Sequence, residues 1–208
     1  MYIGIDASIN CTGITIFKDN KYHFYYYNSD KVAKKRKLTH KDFLFNFNIP
    51  LNKKENCENM ILIEDKNELS STIEFDLITD EILRLISSYN PEEIYIGMEG
   101  YSYGSTGLTF NIAEFCGNLK IKLINNLDNL KSFAIYKPTN IKKFATGNGR
   151  SKKEAMLKSF REINSETTNQ LLDIFDINNN EYIRNSKTPI EDLVDSYFIC
   201  KKVILSNI

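Results

Sequence analysis

The pattern of apolar and polar residues predicts three β-strands at the start of the chain. Apolar or aromatic residues dominate residues 2–6, 14–17 and 22–27 with the alternation of half-buried strands. A small-residue turn separates the first two segments, and Asp19-Asn20 is a turn signal between the second and the third. We therefore expect a three-stranded meander at the N-terminus.

A long polar segment and a series of helices follow the meander. Residues 28–70 are mostly polar and irregular, and a segment of this length between elements is often functional. Apolar residues recur at helical spacing over residues 71–89, and residues 93–99 alternate as a strand does. The remaining predicted elements are a long helix at 108–130, a strand at 133–136, a short helix at 139–145, a basic helix at 152–162 and a last helix at 188–205.

This order of elements predicts an α/β fold in one domain. A chain of 208 residues is long enough for one hydrophobic core, with at most a subdomain beside it. Strands followed by helices favour a mixed β-sheet whose faces the helices cover. We therefore expect a single domain over residues 1–208, with a polar and basic insertion at about residues 28–70.

Composition excludes several classes of protein and of chemistry. The chain has only two histidines, and its four cysteines lack metal-ligand spacing, so zinc hydrolases, HNH-type nucleases and Ser/His triads are poorly supported. Reduced cysteines, the lack of a signal region and the lack of an apolar run of about 18 residues indicate a cytoplasmic protein with no membrane partner. Twenty-seven basic residues balance twenty-seven acidic ones, so only local charge can indicate a partner. A bias towards Asn, Lys and Ile is typical of AT-rich genomes, such as those of phages, large DNA viruses and low-GC bacteria.

Two acids stand at the ends of apolar strands. Asp6 closes the first strand just before a turn, and Glu99 ends the strand at 93–99. Acids at strand ends beside small-residue loops occupy the positions where α/β folds bind ligands. For either acid alone, a solvated strand end is an equally good interpretation, because acids are common near turns.

The last helix carries two more acids near its start. Asp192 and Asp195 are three residues apart, so both can share one helix face. Neighbouring carboxylates repel each other unless a cation or a proton intervenes. Together with Asp6 and Glu99 they form an oxygen donor set that suits Mg²⁺ or Mn²⁺, and two such ions about 3.5–4 Å apart can clamp a phosphodiester. The alternative is an exposed acidic first turn, which the helix dipole favours by itself.

A capping box gives the last helix a defined start. Thr188 fits the N-cap position, Pro189 fits N1 and Glu191 fits N3. Glu191 therefore has a structural role in this pattern, and it is a less favoured metal ligand than the two aspartates.

Four blocks of the sequence resemble the RuvC-type Holliday-junction resolvases, a family of the RNase H-like superfamily, and the residue bias suggests a viral or phage member. One block alone is a weak signal, but four in the family's order, each with the expected acid or lysine, are a strong one. They cover somewhat over a third of the chain, and the insertion at 28–70 has no counterpart. The blocks are IGIDASINCTGITIF at 3–17, IYIGMEGYSYGSTGLTFNIAEFCGNLKIKL at 94–123, YKPTNIKKFATGNGRSKKEAM at 136–156 and EDLVDSYFIC at 191–200.

The resemblance implies an RNase H-like fold with helices on both faces of a mixed sheet, and a crossover junction endodeoxyribonuclease. Such an enzyme is metal-dependent and structure-selective, and it resolves four-way DNA junctions by paired phosphodiester hydrolysis in DNA recombination and repair. The implied cofactors are two Mg²⁺ (or Mn²⁺) ions per active site, and the implied partner is branched DNA. The family's catalytic, metal-binding acids fall on Asp6, Glu99, Asp192 and Asp195. Its DNA-binding lysines fall on Lys153 and Lys142, and its junction-centre aromatic residue falls on Tyr101 or Tyr103.

Local charge adds a candidate DNA contact. Residues 136–153 contain six basic residues and no acid, whereas residues 55–99 contain twelve acids and two basic residues. Lysines and arginines bind phosphates, and glycines let backbone amides approach them closely. The alternative is a solvated helix face; the basic run at 34–37 is a second, weaker candidate. The predicted DNA contacts in the stretch are Lys142, Lys143, Arg150, Lys152 and Lys153.

The proposed substrate also implies a homodimer. A four-way junction has approximate two-fold symmetry and is cut in two opposed strands, so one active site per chain requires two chains. The candidate surface is the long helix at 108–130, which resembles the family's dimer helix. Gly117 in this helix would allow close approach, and apolar residues lie on more than one side of it. These apolar residues are Phe110, Ala113, Leu119 and Ile121.

Three other functions compete with junction resolution. A flap, branched-DNA or RNA–DNA hybrid nuclease would keep the fold and change the substrate. A sugar-kinase-like or actin-like ATPase also opens with a strand, an aspartate and a glycine turn, but it needs two such domains and about 200 residues is short for that. An architectural DNA-binding module without catalysis is disfavoured, since clustered carboxylates are costly without a metal ion.

Overall fold

Five strands form one mixed β-sheet. The computed structural model describes residues 1–8, 11–28, 66–100, 109–163, 165–174 and 190–207. The strands are β1 (Tyr2–Asp6), β2 (Cys11–Lys18), β3 (Lys21–Asn28), β4 (Ile94–Glu99) and β5 (Leu130–Tyr136). Their order across the sheet is β3-β2-β1-β4-β5. The first three strands form the predicted antiparallel meander, whereas β1, β4 and β5 run parallel.

Helices cover both faces of this sheet, which confirms the predicted α/β class with a mixed sheet between helices. The helices are α1 (Lys66–Ser88), α2 (Thr109–Asn126), α3 (Pro138–Thr146), α4 (Lys153–Arg161), α5 (Glu166–Ile174) and α6 (Ile190–Ser206). On one face, Ile3 and Ile5 of β1 pack in a core with residues of α1 and α2. On the other face, Phe24 and Tyr26 of β3 pack with residues of α3 to α6. None of the described helices is long and apolar enough to cross a membrane.

Three glycines let α6 lie directly on the sheet. A Cβ atom at Gly4 would stand 2.1 Å from the Ser196 carbonyl oxygen, and one at Gly13 would stand 2.3 Å from the Asp192 carbonyl oxygen. A Cβ atom at Gly97 would meet side chains of the same helix at similarly short distances. A buried hydrogen bond of 2.8 Å between the hydroxyl groups of Thr15 and Ser196 joins β2 to α6. The absence of three side chains therefore determines how closely the last helix approaches the strands.

The structure corrects two parts of the prediction from hydrophobic pattern. Helix α1 begins at Lys66 rather than at residue 71, because its first turn is too polar to show apolar periodicity. Helix α5 was not predicted; among its residues whose burial is described, Thr168, Leu171 and Leu172 are buried. The signal that could have found it is Ser165, whose hydroxyl group accepts a hydrogen bond from the Thr168 backbone N–H at 3.2 Å, as an N-cap does.

Other element boundaries differ by a few residues from the prediction. The strand predicted at 14–17 extends over Cys11–Lys18, and the strand predicted at 133–136 begins at Leu130. The long helix ends at Asn126, because the chain turns there into β5. Residues 29–65, and with them most of the predicted insertion, lie outside the described residues. The single domain over residues 1–208 stays a prediction.

Candidate active site

Parallel pairing brings the first two predicted acids together. Strands β1 and β4 are neighbours, and Ile5 lies opposite Met98. Asp6 and Glu99 are the next residues of the two strands, so they lie at adjacent C-terminal strand ends. The alternation within both strands turns the isoleucines and Met98 towards the core under α1 and α2. Asp6 and Glu99 therefore lie on the opposite side, towards α6. Asp6 is only 8% exposed.

Helix α6 supplies the other two acids. Its first turns lie over Gly13, whose Cα is paired with that of Asp6 in the β1–β2 ladder. Asp192 and Asp195, three residues apart, share the helix face that points to this end of the sheet. Both acids line the same cavity as Asp6 and Glu99. The convergence of the four acids within reach of one metal ion stays a prediction.

The cavity also contains two of the predicted lysines. Its volume is about 370 Å³. Lys142 of α3 and Lys153 of α4 line it together with the acids of the strand ends and of α6, so cations and carboxylates face one space. Ile112, Cys116 and Met156 form the apolar part of the wall. The remaining lining residues are Ala7, Ser8, Gly100 and Pro138.

Burial and mutual repulsion shift the acids towards their protonated forms. The pKa of Asp6 is raised well above its ordinary value, first by burial and then by the charges of Glu99, Asp195 and Asp192. Burial, followed by the charge of Glu99, raises the pKa of Asp195 to about 7. Burial also raises the pKa of Glu99, although a side-chain hydrogen bond with Asp6 opposes this shift. A hydrogen bond between two carboxyl groups needs one proton, so the pair demands a proton or a cation near neutral pH.

The chemistry of the donor set fits a divalent cation, whereas its arrangement is not that of a formed metal site. The four carboxylates offer only oxygen atoms, which Mg²⁺ and Mn²⁺ prefer. Within the described part of the chain, however, no three His, Cys, Asp or Glu side chains are grouped so that they could hold a metal ion. The hydrogen bond between Asp6 and Glu99 engages two of the four donors with each other. A bound cation would have to replace that bond and draw the carboxylates together.

Lys153 is held by an acid that was expected to cap α6. Its ammonium group lies 2.6 Å from a carboxylate oxygen of Glu191. Burial opposes the charge on Lys153, but the hydrogen bond with Glu191 and the charges of Asp192, Glu191 and Asp195 raise its pKa. In the capping box, Glu191 was expected to accept a hydrogen bond from the Thr188 backbone N–H, and Thr188 lies outside the described residues.

The remaining predicted DNA contacts lie on an ordered basic turn outside the cavity. Lys143 is exposed in the last turn of α3, and Arg150 and Lys152 are exposed on the connection from α3 to α4. The Thr146 hydroxyl group donates to the Lys142 carbonyl oxygen, and the Asn148 side chain accepts a hydrogen bond from the Arg150 backbone N–H. These hydrogen bonds fix the backbone conformation of the turn that carries the exposed basic side chains. Tyr101, Tyr103 and the basic run at 34–37 lie outside the described residues.

One positioning contact of the cavity was not predicted. The Thr12 hydroxyl group donates to the Ser8 carbonyl oxygen at 2.8 Å and accepts from the Ser8 backbone N–H at 3.3 Å. Thr12 thereby fixes the turn after Asp6, which contributes Ala7 and Ser8 to the cavity wall. The available signal was Thr12, a hydroxyl residue four positions after the small Ser8 in the turn that follows Asp6.

We expect the protein in a chelating buffer to lose stability as pH rises from about 4 to 7. Asp195 ionises near its ordinary pKa of about 3.9 in the unfolded chain but only near 7 in the folded one, so stability falls by up to about 1.4 kcal/mol per pH unit between these values. This contribution is complete below the lower pKa and is lost as pH passes the upper one. Urea unfolding at a series of pH values measures it.

Asp195→Asn is the matched variant for this measurement, since an amide cannot ionise and should flatten the pH dependence. Mg²⁺ added at pH 8 should restore stability to the unsubstituted chain. A free energy of unfolding that rises between pH 5 and 7 in chelator would contradict the prediction.

Comparisons with known proteins give a structural likeness only. No protein-family model matches the chain, and no curated protein matches its sequence. Among solved structures it is similar to Thermus thermophilus RuvC, with a TM-score of 0.48, 14% identity and coverage of 95% of this chain and 89% of that one. It is similar to T. thermophilus RuvC in complex with a Holliday junction substrate (TM-score 0.46, 14% identity, 96% and 91% covered). It is also similar to the yeast mitochondrial Holliday junction resolvase Ydc2 (TM-score 0.48, 14% identity, 95% and 75% covered). At these values the likenesses carry no argument about what this chain does.

Proposed function

We propose that this protein is a metal-dependent, structure-selective endodeoxyribonuclease that resolves four-way DNA junctions by paired phosphodiester hydrolysis. The observation that carries the proposal is the cavity in which Asp6, Glu99, Asp192 and Asp195 face Lys142 and Lys153. Phosphodiester hydrolysis needs negative ligands for cations and positive groups for the phosphate, and both are present there. The proposed place of action is the cytoplasm, or a viral replication site if the residue bias reflects a viral or phage source.

Each group in the cavity has a role in this reaction. Asp6 and Glu99, fixed at the ends of two paired strands, and Asp192 and Asp195 on α6 would hold two Mg²⁺ or Mn²⁺ ions. When bound, these ions supply the Lewis acidity that phosphodiester hydrolysis requires. Lys142 and Lys153 bind the non-bridging oxygens of the phosphate and orient it over the carboxylates.

The basic turn extends the proposed contact with DNA beyond the reacting phosphate. Lys143, Arg150 and Lys152 are exposed in this region, and residues 136–153 contain no acid that would offset their charge. Exposed cations of this kind bind the backbone and position the duplex without reading its sequence. The turn follows directly on α3, so a strand held there passes over the cavity that Lys142 lines.

Cleavage of a DNA panel tests the proposal. The panel contains four-way, three-way, flap and linear DNAs and an RNA–DNA hybrid, each incubated with Mg²⁺, with Mn²⁺ or with a chelator. Paired cuts in the four-way junction, lost in chelator, are the expected result. Preferred cutting of a flap or of the hybrid would support the alternative, a nuclease of the same fold with another branched or hybrid substrate. Cutting that persists in chelator would contradict metal dependence.

The outer face of α2 supports a homodimer as part of the proposal. Phe110, Gly117 and Ile124 recur every seven residues, so they form one stripe along the helix. Phe110 is 88% exposed, and a Cβ at Gly117 would meet nothing within 4 Å. Leu119, by contrast, is buried in the core, so the helix has one face for the sheet and one for a partner. A second copy related by a two-fold axis would pair the two stripes and present two active sites to one junction.

We expect Ile121→Glu to convert the dimer into a monomer. Ile121 is 61% exposed beside this stripe, and an apolar interface does not accommodate an unpaired charge. Sedimentation at micromolar concentration measures the change, and junction cleavage should pass from paired cuts to single nicks. Leu205→Glu on α6 is the matched control, because Leu205 is equally exposed and lies on another surface. A wild-type protein that is monomeric both free and on a junction would contradict the dimer.

A further inference from the structure

An ion pair joins α4 to α6 at the edge of the cavity. The Lys153 ammonium group and the Glu191 carboxylate are 2.6 Å apart, and the lysine side chain is 52% exposed. Other ion pairs in the described part of the chain hold elements elsewhere, such as Lys122 with Asp76 and Asp80 between α2 and α1. Lys153 lines the cavity of the four acids, so this pair is connected to the candidate chemistry.

The pair restricts where the ammonium group of Lys153 can stand. A lysine side chain carries four methylene groups and many rotamers, and an unanchored one would be free to turn towards water. Lys153 is also the first residue of α4, so the helix start leaves its stem without neighbours from an earlier turn. Glu191 directly precedes Asp192, and its carboxylate therefore draws the ammonium group to the side of the cavity where α6 begins.

This position places a cation between the acids and an incoming phosphate. Lys153 lines the same cavity as Asp192 and Asp195, and Asp192 directly follows Glu191, its partner in the ion pair. A cation there compensates part of the charge of the acid cluster and remains exposed enough to meet a phosphate oxygen. The same side chain released into solvent would do neither.

We propose that Glu191 is a positioning residue, which acts through Lys153 by holding its ammonium group over the acid cluster for contact with the reacting phosphate. This inference rests on the proposed function. Glu191 is then not a metal ligand, and it does more than join two helices. Each of these two alternative roles predicts results that differ from those of a positioning residue.

The position of Lys153 can be measured without any cleavage assay. In the wild-type protein, reductive methylation followed by mass spectrometry should modify Lys153 about tenfold more slowly than the neighbouring exposed Lys152, because the Glu191 carboxylate engages the Lys153 ammonium group and favours its charged, unreactive form. Glu191→Gln should bring the two rates closer together, while the nearby charges of Asp192 and Asp195 remain. Equal rates in the wild type would overturn the proposal. If the wild type cuts no DNA, the proposed function fails, but this measurement still decides whether Glu191 holds Lys153.

A double-mutant cycle tests the catalytic consequence. Glu191→Gln should lower kcat for junction cleavage about tenfold, since a displaced phosphate contact misplaces the reacting group, while the Mg²⁺ concentration for half-maximal rate stays unchanged. The same substitution in a Lys153→Met background should cost nothing further, because the two residues act as one unit. Glu162→Gln, which removes an exposed α4 carboxylate 3.9 Å from Lys158, is the matched control and should cut at the wild-type rate.

Three results of these kinetic and stability measurements would overturn the proposal. A raised Mg²⁺ requirement in Glu191→Gln would make Glu191 a metal ligand. A lower melting temperature with unchanged kcat, or additive losses in the cycle, would leave it only a tie between helices. Should Glu191→Gln not fold, Glu191→Asp, which retains the charge and shortens the reach, serves in the same measurements and should lose the protection of Lys153 in part.

Discussion

Asp195→Asn should abolish cleavage of a four-way junction and leave binding of that DNA unchanged or tighter. Asp195 is a buried member of the acid set, and an amide provides one oxygen donor and no negative charge for a cation. Loss of one group that stabilises charge in the transition state lowers the rate about 10³-fold or more. Binding improves or stays constant because one negative charge near the DNA phosphate is removed. Single-turnover cleavage and fluorescence anisotropy measure the two effects.

This variant has a convenient control for folding. The shape of the side chain is conserved, and the raised pKa of Asp195 means that its charged form is disfavoured in the folded chain. Asp195→Asn should therefore be at least as stable as the wild type at pH 8 in chelator. Asp128→Asn, an exposed carboxylate outside the cavity, should cut normally. Cleavage retained by Asp195→Asn would remove this residue from the catalytic set.

Gly4→Ala should destabilise the protein by about 3 kcal/mol or more, at the upper end of the range for overpacked cores. The added methyl group would stand 2.1 Å from the Ser196 carbonyl oxygen and 2.3 Å from the Cys200 backbone nitrogen. Both contacts are with main-chain atoms, so no side chain can move aside, and α6 has to shift away from the sheet. Because α6 carries Asp192 and Asp195, the folded fraction should also lose cleavage. Urea unfolding and junction cleavage at saturating Mg²⁺ measure these effects.

Gly117→Ala is the control for the glycine substitution itself. A Cβ there meets nothing within 4 Å, and alanine in a helix is favoured over glycine by about 0.5–1 kcal/mol. Compared with the wild type at a concentration at which both are monomeric, its free energy of unfolding should be unchanged or higher. Gly4→Ala with the stability of the wild type would show that α6 does not lie as close to β1 as described.

The strands and most helices could be predicted because their signals are local. The alternation around Ile94, Ile96 and Met98 predicted both the strand and the side on which Glu99 lies. The capping pattern before Glu191 and the spacing of Asp192 and Asp195 predicted a helix start with two acids on one face. The failure at α5 has the same cause, because the helix is only nine residues long and its sequence begins with a polar run, so its local pattern is weak.

The candidate acids were identified by position and by family resemblance, but their convergence could not be read from the chain. Asp6 and Glu99 meet because β1 pairs in parallel with β4, a choice made between segments about ninety residues apart. Asp192 and Asp195 join them because α6 lies against Gly4 and Gly13. In the sequence, Gly13 indicated only a tight turn after the first strand.

The sequence by itself determined which residues can carry charge, donate oxygen atoms and form strands and helices, since these properties belong to single residues and their near neighbours. Only the tertiary structure decided which of them act together. It placed the four acids and two lysines around one cavity, and it gave Lys153 the partner Glu191 across two helices. It also showed the Asp6–Glu99 hydrogen bond, which a bound cation would have to replace. The physical reason is that burial and Coulomb interactions depend on distances through space, and residues as far apart as Thr15 and Ser196 come into contact only after the chain has folded.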